Sequence, residues 1–292
     1  MEIKKYIPYP EIRKKVALRA VGLAVFAASL CLTSGAIPVS SQSESLDLPA
    51  RQENPQWSLD AISNATPDKP FDQAFTYTAT GRGVTIAIVD SGVNDHEDFK
   101  DENGNSRLTV KENFVEGQGP EDCNAHGTHI AGIAAGTTWG VAKEATIASY
   151  KVFDCDKSGG AGDVYEAFDT IARTLDPAHT VVNFSGELPG GVLNAGVREL
   201  TEQGFTVVTA AGNGGKDACS VSPAREPSAI TVGAIKWPYN NPETITFYEK
   251  SNTGSCIDVL APGFPIESTS FESPTGTIIT GGTSQATAYV SG

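Results

Sequence analysis

The apolar positions of this chain fall into short continuous runs, separated by amphipathic or turn-rich stretches. Residues 84–89 (Val-Thr-Ile-Ala-Ile-Val) form the clearest run. They are rich in β-branched side chains and lack alternation, the pattern of a strand buried on both faces of a parallel sheet. Comparable runs recur at residues 146–152, 181–184, 206–210 and 230–235. Asp163-Val164-Tyr165-Glu166 has the form of a capping box and predicts a helix running to about residue 175. Residues 191–203 read as a second helix, closed by Gly204. The small residues after His126, with Ile130 and Ala134 four apart, predict a helix starting near that histidine. Gly281-Gly282-Thr283-Ser284 predicts another that begins at the serine. Strands alternating with helices imply an α/β fold of three layers, a mostly parallel central sheet with helices on both faces. No internal repeat, low-complexity tract or second domain is visible.

The first 55 residues break this pattern. Lys4, Lys5, Arg13, Lys14, Lys15 and Arg19 precede an apolar run from Ala20 to Leu32 and then Thr33-Ser34-Gly35-Ala36. This is the order of a secretory signal, so residues 1–36 are expected to be removed on export. The apolar run is short for a membrane span, and no stable span is expected after cleavage. Residues 37–55, rich in Ser, Pro, Gln and Glu, read as a flexible lead-in. Order is expected from Gln56, anchored by Trp57 and Leu59, and one domain is expected over residues 56–292. Asn64-Ala65-Thr66 is a glycosylation sequon on an expected surface loop.

Composition narrows the class. A hydrophobic fraction of 39% suffices for a sizeable core, and a net charge of −14 argues against nucleic acid as a partner. Cys31 lies in the signal. Cys123, Cys155, Cys219 and Cys256 remain, an even number in an exported chain, and four cysteines allow three pairings.

The chemistry gathers at the ends of the predicted strands and helices. Ser284 follows two glycines at a predicted helix start, where free N–H groups favour a developing oxyanion, so it is a candidate nucleophile. A nucleophile needs a base, and the base an orienter. Asp90 ends the run 84–89, where ligands of open parallel sheets bind, and a carboxylate there orients an imidazole. His126, in His126-Gly127-Thr128-His129, is placed for acid–base work; His129 reads as a core histidine. Two histidines three apart invite a zinc reading, but no third ligand follows at suitable spacing.

The order Asp90, His126, Ser284, with Asp-Ser-Gly, His-Gly-Thr-His and Gly-Thr-Ser around them, resembles the subtilisin family of serine peptidases. The similarity is greatest to its proteinase K and aqualysin branch and covers about residues 56–292. It implies a secreted, monomeric endopeptidase of protein or peptide substrates, needing no organic cofactor. It implies that Asn213, in Ala210-Ala211-Gly212-Asn213, donates to the oxyanion. It implies disulfides Cys123–Cys155 and Cys219–Cys256, each worth about 3–4 kcal/mol on a chain-entropy view. It implies a Ca²⁺ site at Pro227, Ala229 and Asp258. Ser158, Gly159 and Gly160 would pair with an extended substrate, with Asn183, Ser185 and Gly186 on the other side of the primary specificity pocket. The usual Ser-Leu-Gly-Gly is altered here to Ser185-Gly186-Glu187-Leu188, with Glu187 near the rim.

The same resemblance sets three contrasts. The stretch between Ala36 and Trp57 is too short for a folded prodomain. The family's Ser-Met-Ala-Thr-Pro-His is replaced by Ser284-Gln285-Ala286-Thr287-Ala288-Tyr289. The domain is expected to be C-terminally incomplete, leaving the nucleophile helix partly uncovered and apolar surface exposed. The alternatives are a catalytically impaired binding protein on the same scaffold, or an esterase; the latter lacks a Gly-x-Ser-x-Gly elbow around Ser284.

Overall fold

The computed structural model describes residues 49–64, 71–237 and 245–292. The expected signal, residues 37–48 of the lead-in, and Ala65 and Thr66 of the sequon lie outside the described residues. Within the expected lead-in, Ala50–Glu53 (β1) forms a strand, a correction to the sequence reading. It pairs antiparallel with β2 (Ala74–Tyr77), and α1 (Trp57–Asn64) lies between them in sequence. The β1 side chains are mostly exposed, so backbone pairing rather than an apolar pattern holds the strand, and the sequence carries no alternation to reveal it.

The chain continues through β3 (Thr85–Asp90), β4 (Leu108–Asn113), α2 (His126–Ala135), β5 (Thr146–Lys151), α3 (Ala161–Thr174) and β6 (Thr180–Phe184). Then come β7 (Leu188–Pro189), α4 (Asn194–Glu202), β8 (Thr206–Ala210), β9 (Val221–Ser222) and β10 (Ile230–Lys236). The last elements are β11 (Thr246–Phe247), β12 (Val259–Phe264), the hairpin β13 (Ile266–Thr269) and β14 (Thr277–Thr280), and α5 (Thr283–Ser291).

The central sheet runs β11-β10-β8-β6-β3-β5-β4, with β12 also against β10. All its pairings are parallel except β10 with β11. Alternate residues of the strands feed two cores. Ile86, Ile88, Ile147 and Val232 pack with Ile130 and Ile133 of α2 and with Ala286 and Tyr289 of α5. Ala87, Val89, Ala148 and Val182 face Val164, Phe168 and Ile171 of α3 and Val197 and Leu200 of α4. Each such large side chain contributes about 1.5–3 kcal/mol by leaving water.

Helix starts differ in detail from the sequence reading. The α3 helix begins at Ala161, and Asp163 is not its cap but reaches back to accept from the Gly160 N–H at 3.2 Å. The α4 helix starts at Asn194, because the preceding residues form a turn in which the Asn194 N–H bonds the Gly191 carbonyl. The expectation of an uncovered nucleophile helix is corrected. Of α5, every residue but Val290 is buried, under α2 and along β6, β8, β10 and β12. Exposed apolar side chains lie elsewhere, among them Val259 and Leu260 of β12 and Ile278 and Ile279 of β14. No helix among the described residues is long and apolar enough to cross a membrane.

Candidate active site

The order of the sheet reverses at β3. On one side the chain goes first to the outer strand β4 and returns to β5 beside β3, and on the other it runs outward through β6, β8 and β10. A crevice forms beyond the carboxyl end of a strand at such a switch point, and Asp90 is the last residue of β3. Its side chain is fully buried. Both carboxylate oxygens lie on His126 Nδ1, at 2.7 and 2.9 Å, and Oδ1 also accepts from the Ser91 N–H at 2.7 Å. A carboxylate only accepts, so Nδ1 is assigned the proton and Nε2 the lone pair. Among the described residues Nε2 has no hydrogen-bond partner, and the side chain is 14% exposed. His126 opens α2, and the next position must be small. A Cβ on Gly127 would collide with the Gly92 carbonyl, so the turn after β3 and the first turn of α2 touch.

The sequence reading missed the residue that holds this pair in place. Asp122 is buried, and its two oxygens take five donors. Oδ1 accepts from Ser91 Oγ (3.0 Å), Asn124 N–H (2.9 Å) and Ala125 N–H (3.1 Å). Oδ2 accepts from the Thr128 N–H (2.9 Å) and hydroxyl (2.7 Å). Ser91 Oγ in turn accepts from the Gly127 N–H at 2.9 Å. One carboxylate thus satisfies donors from the turn after Asp90 and from the start of α2. Behind it, buried Lys151 donates to the Ser91 and Glu121 carbonyls at 2.9 and 3.0 Å, and burial lowers its pKa. The signal available in sequence was the Asp-x-x-x-His spacing ahead of the helix, a cap placed four residues early.

Ser284 is the second residue of α5, where N–H groups lack intrahelical acceptors. Its hydroxyl donates to the Ser185 carbonyl at 3.2 Å, and Ser185 Oγ donates to the Ser284 carbonyl at 3.2 Å. It is not hydrogen-bonded to His126. The structure therefore joins Asp90 to His126, and the helices that begin with His126 and near Ser284, α2 and α5, pack against each other. Asn213 is fastened to the same turn: its Oδ1 accepts from the Thr283 N–H at 2.9 Å, and among the described residues Nδ2 has no partner.

The residues that depart from the family motif have visible partners. Gln285 Nε2 lies 3.4 Å from Nδ1 of His129, whose Nε2 lies 3.2 Å from the Ile278 carbonyl. Burial lowers the pKa of His129 to about 4, so it is neutral in the core. Tyr289, also buried, pairs its hydroxyl with Ser58 Oγ at 2.5 Å and ties α1 to the helix of Ser284.

The remaining sequence candidates are dispersed. Ser158, Gly159 and Gly160 are exposed, but Ser158 exchanges hydrogen bonds with Asp154 and the Gly160 N–H goes to Asp163. Among the described residues the Gly159 backbone groups have no partner. Asn183 is buried behind the crevice, donating to Ser185 Oγ at 3.0 Å and accepting from Ser291 at 2.9 Å. It supports Ser185 instead of lining a pocket. Gly186 lies against the Phe153 and Phe184 rings. Disulfides link Cys123 with Cys155 and Cys219 with Cys256, the pairing the resemblance implies. Asp258 is exposed, with Oδ2 accepting from the Thr231 N–H at 3.0 Å and Oδ1 free; Pro227 and Ala229 precede β10 in the adjoining segment. Among the described residues, no group of three or more His, Cys, Asp or Glu is arranged to hold a metal ion.

Comparison with known proteins follows the same lines. Residues 81–292 match the model of the subtilase family, peptidase S8. The chain is 41% identical over 250 residues to an extracellular serine proteinase of Thermus sp. (strain Rt41A), covering 83% of this chain and 57% of that protein. It is 38% identical over 245 residues to a cuticle-degrading serine protease of Arthrobotrys oligospora, covering 83% and 58%. It is 37% identical over 250 residues to proteinase T of Parengyodontium album, covering 83% and 80%. Among solved structures, a cold-adapted subtilisin-like serine proteinase aligns with a TM-score of 0.73 at 35% identity, over 82% of this chain and 83% of that one. The chain spans less than two thirds of the length of the first two of these relatives.

Proposed function

The chain belongs to the subtilase family, and on that premise we propose that it is a secreted serine endopeptidase acting on proteins or peptides. The observation that carries this reading is the buried Asp90 carboxylate on His126 Nδ1, on a helix packed against the one that carries Ser284 in its first turn. A turn of Ser284 about χ1, from one staggered well to another, releases its hydroxyl from Ser185. His126 Nε2 takes the proton as Oγ attacks the scissile carbonyl, and Asp90 holds the tautomer and stabilises the imidazolium. Asn213 Nδ2 and the Ser284 N–H donate to the oxyanion. His126 then protonates the leaving amine, and water, deprotonated by the same nitrogen, hydrolyses the acyl-enzyme.

Residues 1–36 would direct export. The Pro227 and Ala229 carbonyls with the free oxygen of Asp258 are oxygen donors of the kind Ca²⁺ takes, and such an ion would stabilise the loop before β10 without entering the reaction. A second reading has one observation in its favour: the Ser284 hydroxyl bonds Ser185, as it would in a peptide-binding protein that does not turn over. Hydrolysis of an unfolded protein substrate by the chain and by its Ser284→Ala variant separates the two. The peptidase reading expects cleavage that disappears in the variant; equal cleavage by both, or none by either, sinks it.

A further inference from the structure

Two loops meet beside Ser284, one after β6 and one after β8, and both are fastened to the start of α5. Ser185 exchanges two hydrogen bonds with Ser284. The Gly212 N–H donates to Thr283 Oγ1 at 3.2 Å, and the Thr283 N–H to Asn213 Oδ1 at 2.9 Å. Glu187 reaches from the first loop onto the second. A Cβ on Gly212 would collide with Glu187 Oε2 and with Asn252 Nδ2, so only glycine at 212, with φ +97°, leaves the carboxylate room. Asn252 Nδ2 is committed to the Ala211 carbonyl at 2.7 Å. Among the described residues Glu187 has no hydrogen-bond or ion-pair partner, and it is exposed. Asp90 and Asp122, in contrast, are saturated with donors. The crevice therefore carries one anionic group with unspent capacity, two residues from the carbonyl that holds the nucleophile.

We propose that Glu187 makes this site selective for cationic side chains, so that peptides are cleaved preferentially after Lys or Arg. The inference rests on reading Ser284 as the nucleophile. The Cα of the acyl-side residue is one bond from the attacked carbon, so its side chain starts beside Ser284 and runs between the two loops. The Phe153 and Phe184 rings against Gly186 offer apolar surface to the methylene stem of Lys or Arg, and the Glu187 carboxylate over Gly212 meets the charged tip. The net charge of −14 adds long-range attraction for cationic peptides.

The test uses two peptides identical except at that residue, one with lysine and one with Nε-acetyl-lysine, which keeps the stem and removes the charge. The full chain should show a kcat/KM ratio favouring lysine by roughly ten-fold at low salt, between the bulk-water and near-surface strengths of a contact charge pair, and less at high salt. Glu187→Gln should abolish the ratio and Glu187→Lys should invert it. The same peptides are titrated against the Ser284→Ala variant, which reads binding without turnover. Preference in binding with no cleavage by the full chain would leave the role of Glu187 standing and remove the peptidase reading. Cleavage without preference, a ratio retained in Glu187→Gln, or no binding of either peptide would overturn the role of Glu187.

Discussion

Asp90 and His126 are joined at 2.7 and 2.9 Å and backed by a buried carboxylate that takes five donors, whereas Ser284, in the first turn of α5, gives its hydroxyl to a backbone carbonyl. The first half has little freedom left. The positions of Asp90, Ser91, Gly127 and Thr128 are each fixed by a hydrogen bond that loses its partner if the others move. The second half is fixed in its backbone, by Ser185, Thr283 and Asn213, but its reactive atom turns on one torsion. The difference shows what needs building. An imidazole must be held in one tautomer and one plane, which takes a scaffold; a hydroxyl needs only a well-placed Cα and a rotamer change.

The comparison is broken most strongly at Asp90. Replacing it with Asn keeps the shape but lets Nδ1 accept, presenting the wrong tautomer, and should lower kcat by about 10⁴-fold, as measured by steady-state hydrolysis. A normal rate would show that the first half is not the acid–base unit. Next in size is Asp122→Ala. It leaves several buried donors unpaired around His126 and beside Lys151, and should cost about 3–5 kcal/mol in denaturant unfolding together with most of the activity. Loss of stability with full activity retained would mean that Asp122 does not position the histidine.

The smallest effect sharpens the junction between the halves. His129 lies one turn beyond His126 and touches Gln285, the neighbour of Ser284. Its pKa is lowered from 6.5 to about 4, chiefly by burial. Above pH 6.5 it is neutral whether folded or not, and its contribution is fully present. As pH falls from 6.5 towards 4 the unfolded chain binds a proton that the folded one does not, so stability should drop by up to about 3 kcal/mol over that window. Stability measured against pH should lose this slope in His129→Gln; an unchanged slope would assign the titration elsewhere.

Much of this was legible in the chain itself. The five apolar runs became β3, β5, β6, β8 and β10 with their ends shifted by a residue or so, because strands buried on both faces leave an unbroken apolar signature. Thr146–Lys151, for example, stops one residue before Val152, although the Val152 N–H still bonds the Asp90 carbonyl at the end of β3. The strand β4 went unseen because it is a half-exposed edge, and β12 because it contains Pro262 and Gly263 and exposes Val259 and Leu260. The positions of Asp90 and His126 followed from strand-end and helix-start patterns. The Asp122 network did not, because its donors come from two segments whose meeting is a tertiary fact. The rotamer of Ser284 has no sequence signature at all.

The central claim is that Ser284 is a nucleophile served by a preassembled Asp90–His126 pair. It is tested most directly by treating the full chain with a fluorophosphonate and locating the adduct by peptide mass spectrometry. The expected result is a single adduct on Ser284, absent in Ser284→Ala and formed far more slowly in His126→Ala. A folded chain that stays unlabelled, or labels at Ser284 equally fast without His126, would contradict it.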